Sequence, residues 1–240
     1  MTTIDLSAGT DVAGVSPGLR GYVARPSGSG PWPGVVLVHE AFAVDDVMRR
    51  HADRVASAGF LAVLPDLFTN GGPGRCLVAT FRALRSGTGR AYADIEAGRL
   101  WLLAQPDCTG KTGVLGFCLG GGFALMVANR GQFAACAPNY AVLPKDLDAA
   151  LDGACPVVAS YGSRDGLRGS ATRLEAGLKR AGVPNDVKEY PGAGHSFLND
   201  EPNGPRLLRP LLKLNGAGPS PVAAADAWSR IETFFHYHLD

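Results

Sequence analysis

Four side chains in this sequence join a reactive type to a suitable setting: Glu40, Cys118, Asp165 and His195. Cys118 is the centre of Gly116-Phe117-Cys118-Leu119-Gly120. A short apolar run, Thr112 to Leu115, precedes it and a small-residue run, Leu119 to Asn129, follows it. Gly-x-Cys-x-Gly between a strand and a helix is the spacing of a nucleophile elbow, with a thiol where a serine usually stands. Such a turn is so tight that the nucleophile takes a strained backbone conformation, and glycine on either side leaves no Cβ to collide. The turn would lift the thiol clear of a sheet and set it at a helix N-terminus. There the exposed N–H groups and the dipole favour a thiolate and a developing oxyanion.

An isolated thiol titrates near ~8.5 and is mostly protonated at neutral pH. A helix terminus supplies at most ~1–2 kcal/mol, roughly one pKa unit, whereas a paired imidazolium lowers a thiol by several units. A histidine partner therefore matters more than the dipole. His195, in Gly192-Ala193-Gly194-His195-Ser196-Phe197, follows the strand-like Asp186 to Tyr190. Asp165, in Gly162-Ser163-Arg164-Asp165-Gly166, follows Cys155 to Tyr161. The order nucleophile, acid, histidine is that of the α/β-hydrolases. In that role the histidine takes and returns the proton, and the acid holds the ring in its working tautomer. Asp152, Asp186 and Glu189 are the alternative acids. Glu40 follows the apolar run Gly34 to His39, where such folds place the loop that gives a second oxyanion N–H. A carboxylate there opposes a nearby thiolate or accepts its proton. The N–H groups of Leu119 and Ala41 are the oxyanion-hole candidates. Each residue also has a plainer reading: an inert buried thiol, an Asp-Gly turn, a loop histidine and a solvated strand-end charge.

The elements that must position these groups alternate along the chain. Leu19 to Arg25 reads as an edge strand, and Gly34 to His39 and Phe60 to Leu64 as strands buried on both faces. Asp45 is placed to cap a helix from Asp46 to Ala58 that Gly59 ends. Residues 70–90 are rich in Gly and Arg with weak periodicity and read as an excursion over the sheet. Ala91 to Ala104 is helical, and Phe133 to Tyr140 is a further strand. Ser170 to Ala181 is a helix between the strands that precede Asp165 and His195. A loop from Pro191 to Ser220 leads to a last helix opened by Pro221, with Ala224, Trp228, Ile231 and Phe235 as its stripe. This alternation predicts an α/β fold with a mostly parallel sheet covered by helices on both faces. Reactive groups then collect at the carboxyl ends of the strands.

The 240 residues suit one such domain, 1–240, and the net charge of +1 without a Lys/Arg run gives no support to a nucleic-acid or membrane-surface partner. Five scattered cysteines, at 76, 108, 118, 136 and 155, point to free thiols and a reducing, cytoplasmic setting. No signal peptide and no apolar run of membrane-spanning length is visible. Gly110-Lys111-Thr112 lacks the earlier glycine of a P-loop, and His236-x-His238 does not share a helix face. No cofactor or metal is expected. A monomer or small homo-oligomer acting on a small molecule is.

His39-Glu40-Ala41-Phe42 after a strand, GFLAVLPDLF at 59–68, GFCLGGG at 116–122 and GHSF at 194–197 together resemble the dienelactone hydrolase family over nearly the whole chain. The resemblance implies the α/β-hydrolase fold and a Cys-His-Asp triad of Cys118, His195 and Asp165. It also implies that Glu40 keeps the resting thiol neutral until substrate displaces it. Cys118 would then attack an ester or lactone carbonyl and form an acyl-enzyme that water hydrolyses. The best-known members bind a substrate carboxylate with two arginines. At the position shortly after GHSF this chain carries Asn199, and the other arginine falls in 70–90, where Arg75, Arg82 and Arg85 all stand. The competing readings are a non-catalytic binding protein on the same fold and a thiol-redox protein using Cys118, which has no C-x-x-C partner.

Overall fold

The structure, a computed structural model, describes residues 2–202, 204 and 216–240. Its chain runs β1 (Thr2–Asp5), β2 (Arg20–Ala24), β3 (Trp32–Val38), α1 (Asp46–Ser57), β4 (Leu61–Pro65), α2 (Gly72–Ser86), α3 (Arg90–Leu103), β5 (Cys108–Phe117), α4 (Leu119–Ala128), β6 (Ala135–Asn139), α5 (Leu147–Leu151), β7 (Val157–Gly162), α6 (Ser170–Arg180), β8 (Asn185–Tyr190) and α7 (Pro221–Leu239). The eight strands form one sheet in the order β1-β2-β4-β3-β5-β6-β7-β8. The β1–β2 and β2–β4 pairs are antiparallel and the others parallel. This is an α/β-hydrolase sheet.

Strand residues alternate between two cores, as the two-residue period requires. Val36, Val38, Leu61, Val63 and Val114 pack against α3, α4 and α6 through residues such as Ile95, Phe123 and Leu174. Val35, Leu37, Ala62, Leu64 and Leu115 face α1 and α7 through Val47, Met48, Val55, Trp228, Ile231 and Phe235. Both faces are therefore dry, which is why these strands read as unbroken apolar runs. Asp45 caps α1, accepting from the Met48 N–H at 2.9 Å.

Three elements depart from the sequence reading. The excursion at 70–90 contains a full helix, α2, which buries Thr80, Ala83 and Leu84 and packs Cys76 and Leu77 partly against the core. Its Gly72-Pro73-Gly74 start and its arginines at 75, 82 and 85 give the stretch the look of a loop. Leu19 to Arg25 does not form the sheet edge, because β1 pairs outside β2; β1 is four mostly exposed residues, too short to announce itself. The short α5 was not expected. Part of the loop expected from Pro191 to Ser220 (203 and 205–215) lies outside the described residues.

Close backbone contact aims the elements at one edge. A Cβ on Gly120 would lie 2.1 Å from the Val38 carbonyl oxygen, and one on Gly116 2.1 Å from the Gly120 oxygen. Gly120→Ala is therefore expected to destabilise the fold by more than about 3 kcal/mol in urea denaturation. Gly74→Ala, in open space on α2, is expected to be neutral or to stabilise by up to about 1 kcal/mol.

Asp94 on α3 fixes the segment before β2, accepting the Ser16 N–H at 2.7 Å and its hydroxyl at 2.8 Å. Burial pushes its carboxyl up to about 6, against the pull of the Ser16 bonds. The folded chain thus binds this proton more readily than the unfolded chain, and stability falls as pH rises from about 4 to about 6. Asp94→Asn can keep both contacts without the charge. It is expected to flatten that slope and raise stability at pH 7.5 by about 1–3 kcal/mol in the same measurement.

Candidate active site

Cys118 sits between β5 and α4 with φ 55° and ψ −114°, a backbone region that side chains rarely enter. Its N–H is held by the Asn139 carbonyl at 3.0 Å, and its own carbonyl accepts from Gly122 at 3.2 Å. Leu119 is the first residue of α4, so its N–H has no partner within the helix. Gly120 lies against the Val38 and His39 carbonyls, so α4 begins directly beside the peptides that follow β3. The Ala41 N–H lies there and meets no acceptor among the described residues.

Asp165 and His195 are brought together by two knitted loops. The one after β7 bonds the one after β8 through Ser163 N–H to Tyr190 O (3.0 Å) and Arg164 N–H to Ala193 O (2.9 Å). Gly162 makes this approach feasible, since a Cβ there would lie 2.5 Å from the Ala193 oxygen. His195 Nδ1 meets Asp165 Oδ2 at 2.7 Å, with the carboxylate 3% exposed and the imidazole 24%. Asp165 Oδ1 accepts the Leu167 N–H at 2.9 Å, so the residue is both a turn former and the partner of His195. Burial alone would lower the imidazole. The bonded Asp165 carboxylate and the neighbouring Cys118 outweigh it and carry the His195 pKa up to about 11. With Nδ1 on Asp165, the Nε2 side is the one left for the thiol. The alternative acids stand elsewhere: Asp186 pairs with Arg230, Glu189 is exposed on β8, and Asp152 closes α5.

Glu40 is buried, 1% exposed. Its Oε1 accepts the Tyr140 hydroxyl at 3.1 Å and the Asn199 amide at 3.4 Å. Burial, and then the Glu40 charge, push the Tyr140 hydroxyl far above its ordinary value, so it stays a donor. The Tyr140 ring stands 5.0 Å from that of His195. Asn199 is turned toward Glu40 by His51, whose Nε2 meets the Asn199 Oδ1 at 2.9 Å. Burial drops the His51 pKa to about 4, so the ring is neutral. With Nε2–H donating, the Asn199 oxygen faces His51 and its NH2 faces the carboxylate. Sequence reasoning gave no role to Tyr140 or His51. A histidine on the inward face of α1 was the one available signal.

Arg75, Arg82 and Arg85 lie exposed on α2. Arg75 and Arg82 line a cleft of about 460 Å3 that includes none of Cys118, Asp165, His195 or Glu40. All five cysteines are free thiols. Among the described residues no three His, Cys, Asp or Glu side chains gather as a metal site, and no helix is long and apolar enough to cross a membrane.

The dienelactone hydrolase family profile matches residues 19–239. The chain belongs to the dienelactone hydrolase family. It is 32% identical to the carboxymethylenebutenolidase of Rhodococcus opacus, over 91% of this chain and 86% of that one. In fold it is similar to a dienelactone hydrolase-like promiscuous phosphotriesterase from metagenomic libraries (TM-score 0.77, 24% identity, 92% and 93% of the two chains covered). It is similar too to a thermophilic esterase of Thermogutta terrifontis (TM-score 0.69, 15% identity, 98% and 93% covered). Membership makes this chain a dienelactone hydrolase-like ester or lactone hydrolase, and the strand-end cluster around Cys118 is its candidate site. Asp165→Asn is expected to lower the titration of His195 by more than one pH unit in an NMR titration, because the anionic acceptor on Nδ1 is lost.

Proposed function

We propose that this dienelactone hydrolase family member cleaves a carboxylic ester or lactone through Cys118, His195 and Asp165 by way of a thioester acyl-enzyme. The observation that carries the reading is the His195 ring, bonded to Asp165 at 2.7 Å and lying near enough to the strained Cys118 for the thiol to influence its titration. As substrate binds, His195 Nε2 takes the Cys118 proton; the thiolate attacks the substrate carbonyl carbon, and the oxygen gains the charge between the N–H groups of Leu119 and Ala41. As the tetrahedral adduct collapses, the alkoxide leaves and takes a proton from His195 Nε2. A water then gives its proton to the same nitrogen, attacks the thioester and releases the acid and Cys118. Asp165 keeps the proton on Nδ1 throughout and stabilises the imidazolium.

Glu40 has a separate part in this reading: it holds the resting thiol in check. Its carboxylate is fixed by Tyr140 and Asn199 beside the site where a second anion would have to form. Asn199 is committed to Glu40 and His51, which argues against its serving as a substrate anchor.

Cys118→Ala is expected to cut turnover of small aryl esters and lactones at least 1,000-fold while leaving the denaturation midpoint unchanged. Intact-mass spectrometry of the wild type with slowly deacylating esters should show an acyl adduct on Cys118 that the variant lacks. Turnover that survives the substitution, or an adduct on another residue, would falsify the assignment.

A further inference from the structure

His39 follows β3 and is buried, with its ring edge-on to Phe68 at a centroid distance of 4.8 Å. Its Nε2 stands 3.1 Å from the Leu67 backbone nitrogen, and its Nδ1 2.6 Å from the Glu40 carbonyl oxygen. A backbone N–H can only donate, so Nε2 is the acceptor and carries no proton. Burial pushes the ring's pKa down, and a neutral imidazole has one proton. That proton is on Nδ1 and points at the Glu40 carbonyl.

In a trans peptide the C=O and N–H point in opposite directions. Pinning the Glu40 oxygen to the ring turns the Ala41 N–H away from it, and that N–H has no acceptor among the described residues. The start of α4 is pressed against the Val38 and His39 carbonyls, so the Leu119 N–H is its neighbour. We propose that His39 is a positioning residue of the oxyanion hole. By holding the Glu40 carbonyl it aims the Ala41 N–H at the point where the substrate oxygen becomes negative. This rests on the oxyanion hole of the proposed mechanism, and it is independent of the Glu40 side chain. The ring ties the exit of β3 to the exit of β4, which keeps the peptide in place before substrate arrives.

Two substitutions separate the ring's two bonds. His39→Asn keeps an amide donor near the place of Nδ1 and loses the acceptor to Leu67. His39→Gln keeps an acceptor near the place of Nε2 and loses the donor. For a small aryl ester, His39→Gln is expected to lower kcat by about 10–100-fold with little change in KM, as for a weakened oxyanion donor. His39→Asn is expected to keep most of kcat. Alkylation of Cys118 by iodoacetamide forms no oxyanion, so its rate should stay within about twofold in both variants. In the wild type, imidazole nitrogen NMR should show the His39 proton on Nδ1. A proton on Nε2, equal kcat in the two variants, or alkylation that falls in step with kcat would each overturn the proposal. Ester turnover that survives Cys118→Ala would sink the nucleophile assignment instead, and the NMR measurement would still decide the His39 contact.

Discussion

The site depends on one close contact: the first turn of α4 against the carbonyls that end β3. With hydrogen as its side chain, Gly120 lets two backbones meet at a distance that any Cβ would close, 2.1 Å from the Val38 oxygen. The contact brings the start of a helix and the exit of a neighbouring strand together above one sheet edge. It also fixes how sharply the chain must turn at Cys118, which accounts for the φ of 55° there. Two buried cores, one on each face of the sheet, hold the elements in this arrangement.

Strain is gathered where chemistry is expected. Among the described residues, the non-glycine residues with positive φ are Ala43, Cys118, Tyr140 and Ser196. One is the nucleophile candidate, one touches Glu40 and His195, one follows His195 and one lies two residues past Ala41. A residue in such a region costs about 1–3 kcal/mol, and it persists only where the surroundings leave no alternative. Here those surroundings are packed strands and the paired loops after β7 and β8.

The polar groups beneath the site form a second layer. Glu40 is a carboxylate placed out of water, and neutral donors, Tyr140 and Asn199, meet it. Each of those is held in turn, Tyr140 by packing against His195 and Phe197 and Asn199 by His51. A buried carboxylate without such donors would be costly. The chain thus places amides, hydroxyls and neutral imidazoles where their orientation is set by packing. One consequence is that Asn199, which on position alone invites comparison with a substrate-binding arginine, is occupied inside the protein.

The alternation of apolar runs and amphipathic helices made the parallel sheet legible in the sequence, because strands dry on both faces must be apolar throughout. The glycines around Cys118, and the order of Cys118, Asp165 and His195, were legible too, since local backbone geometry restricts those positions to few residue types. The helix α2 was not, because its Gly-Pro-Gly start and its surface arginines have the composition of a loop. Nor was the bonding of Glu40, His39, His51, Tyr140 and Asn199. These residues come from four separate stretches of chain, and their partners are chosen by distance after folding. The sequence by itself determined the framework and singled out the candidate reactive groups. Only the tertiary structure decided which atom of each polar side chain faces which neighbour, because hydrogen bonds between distant segments leave no periodic trace in the order of residues.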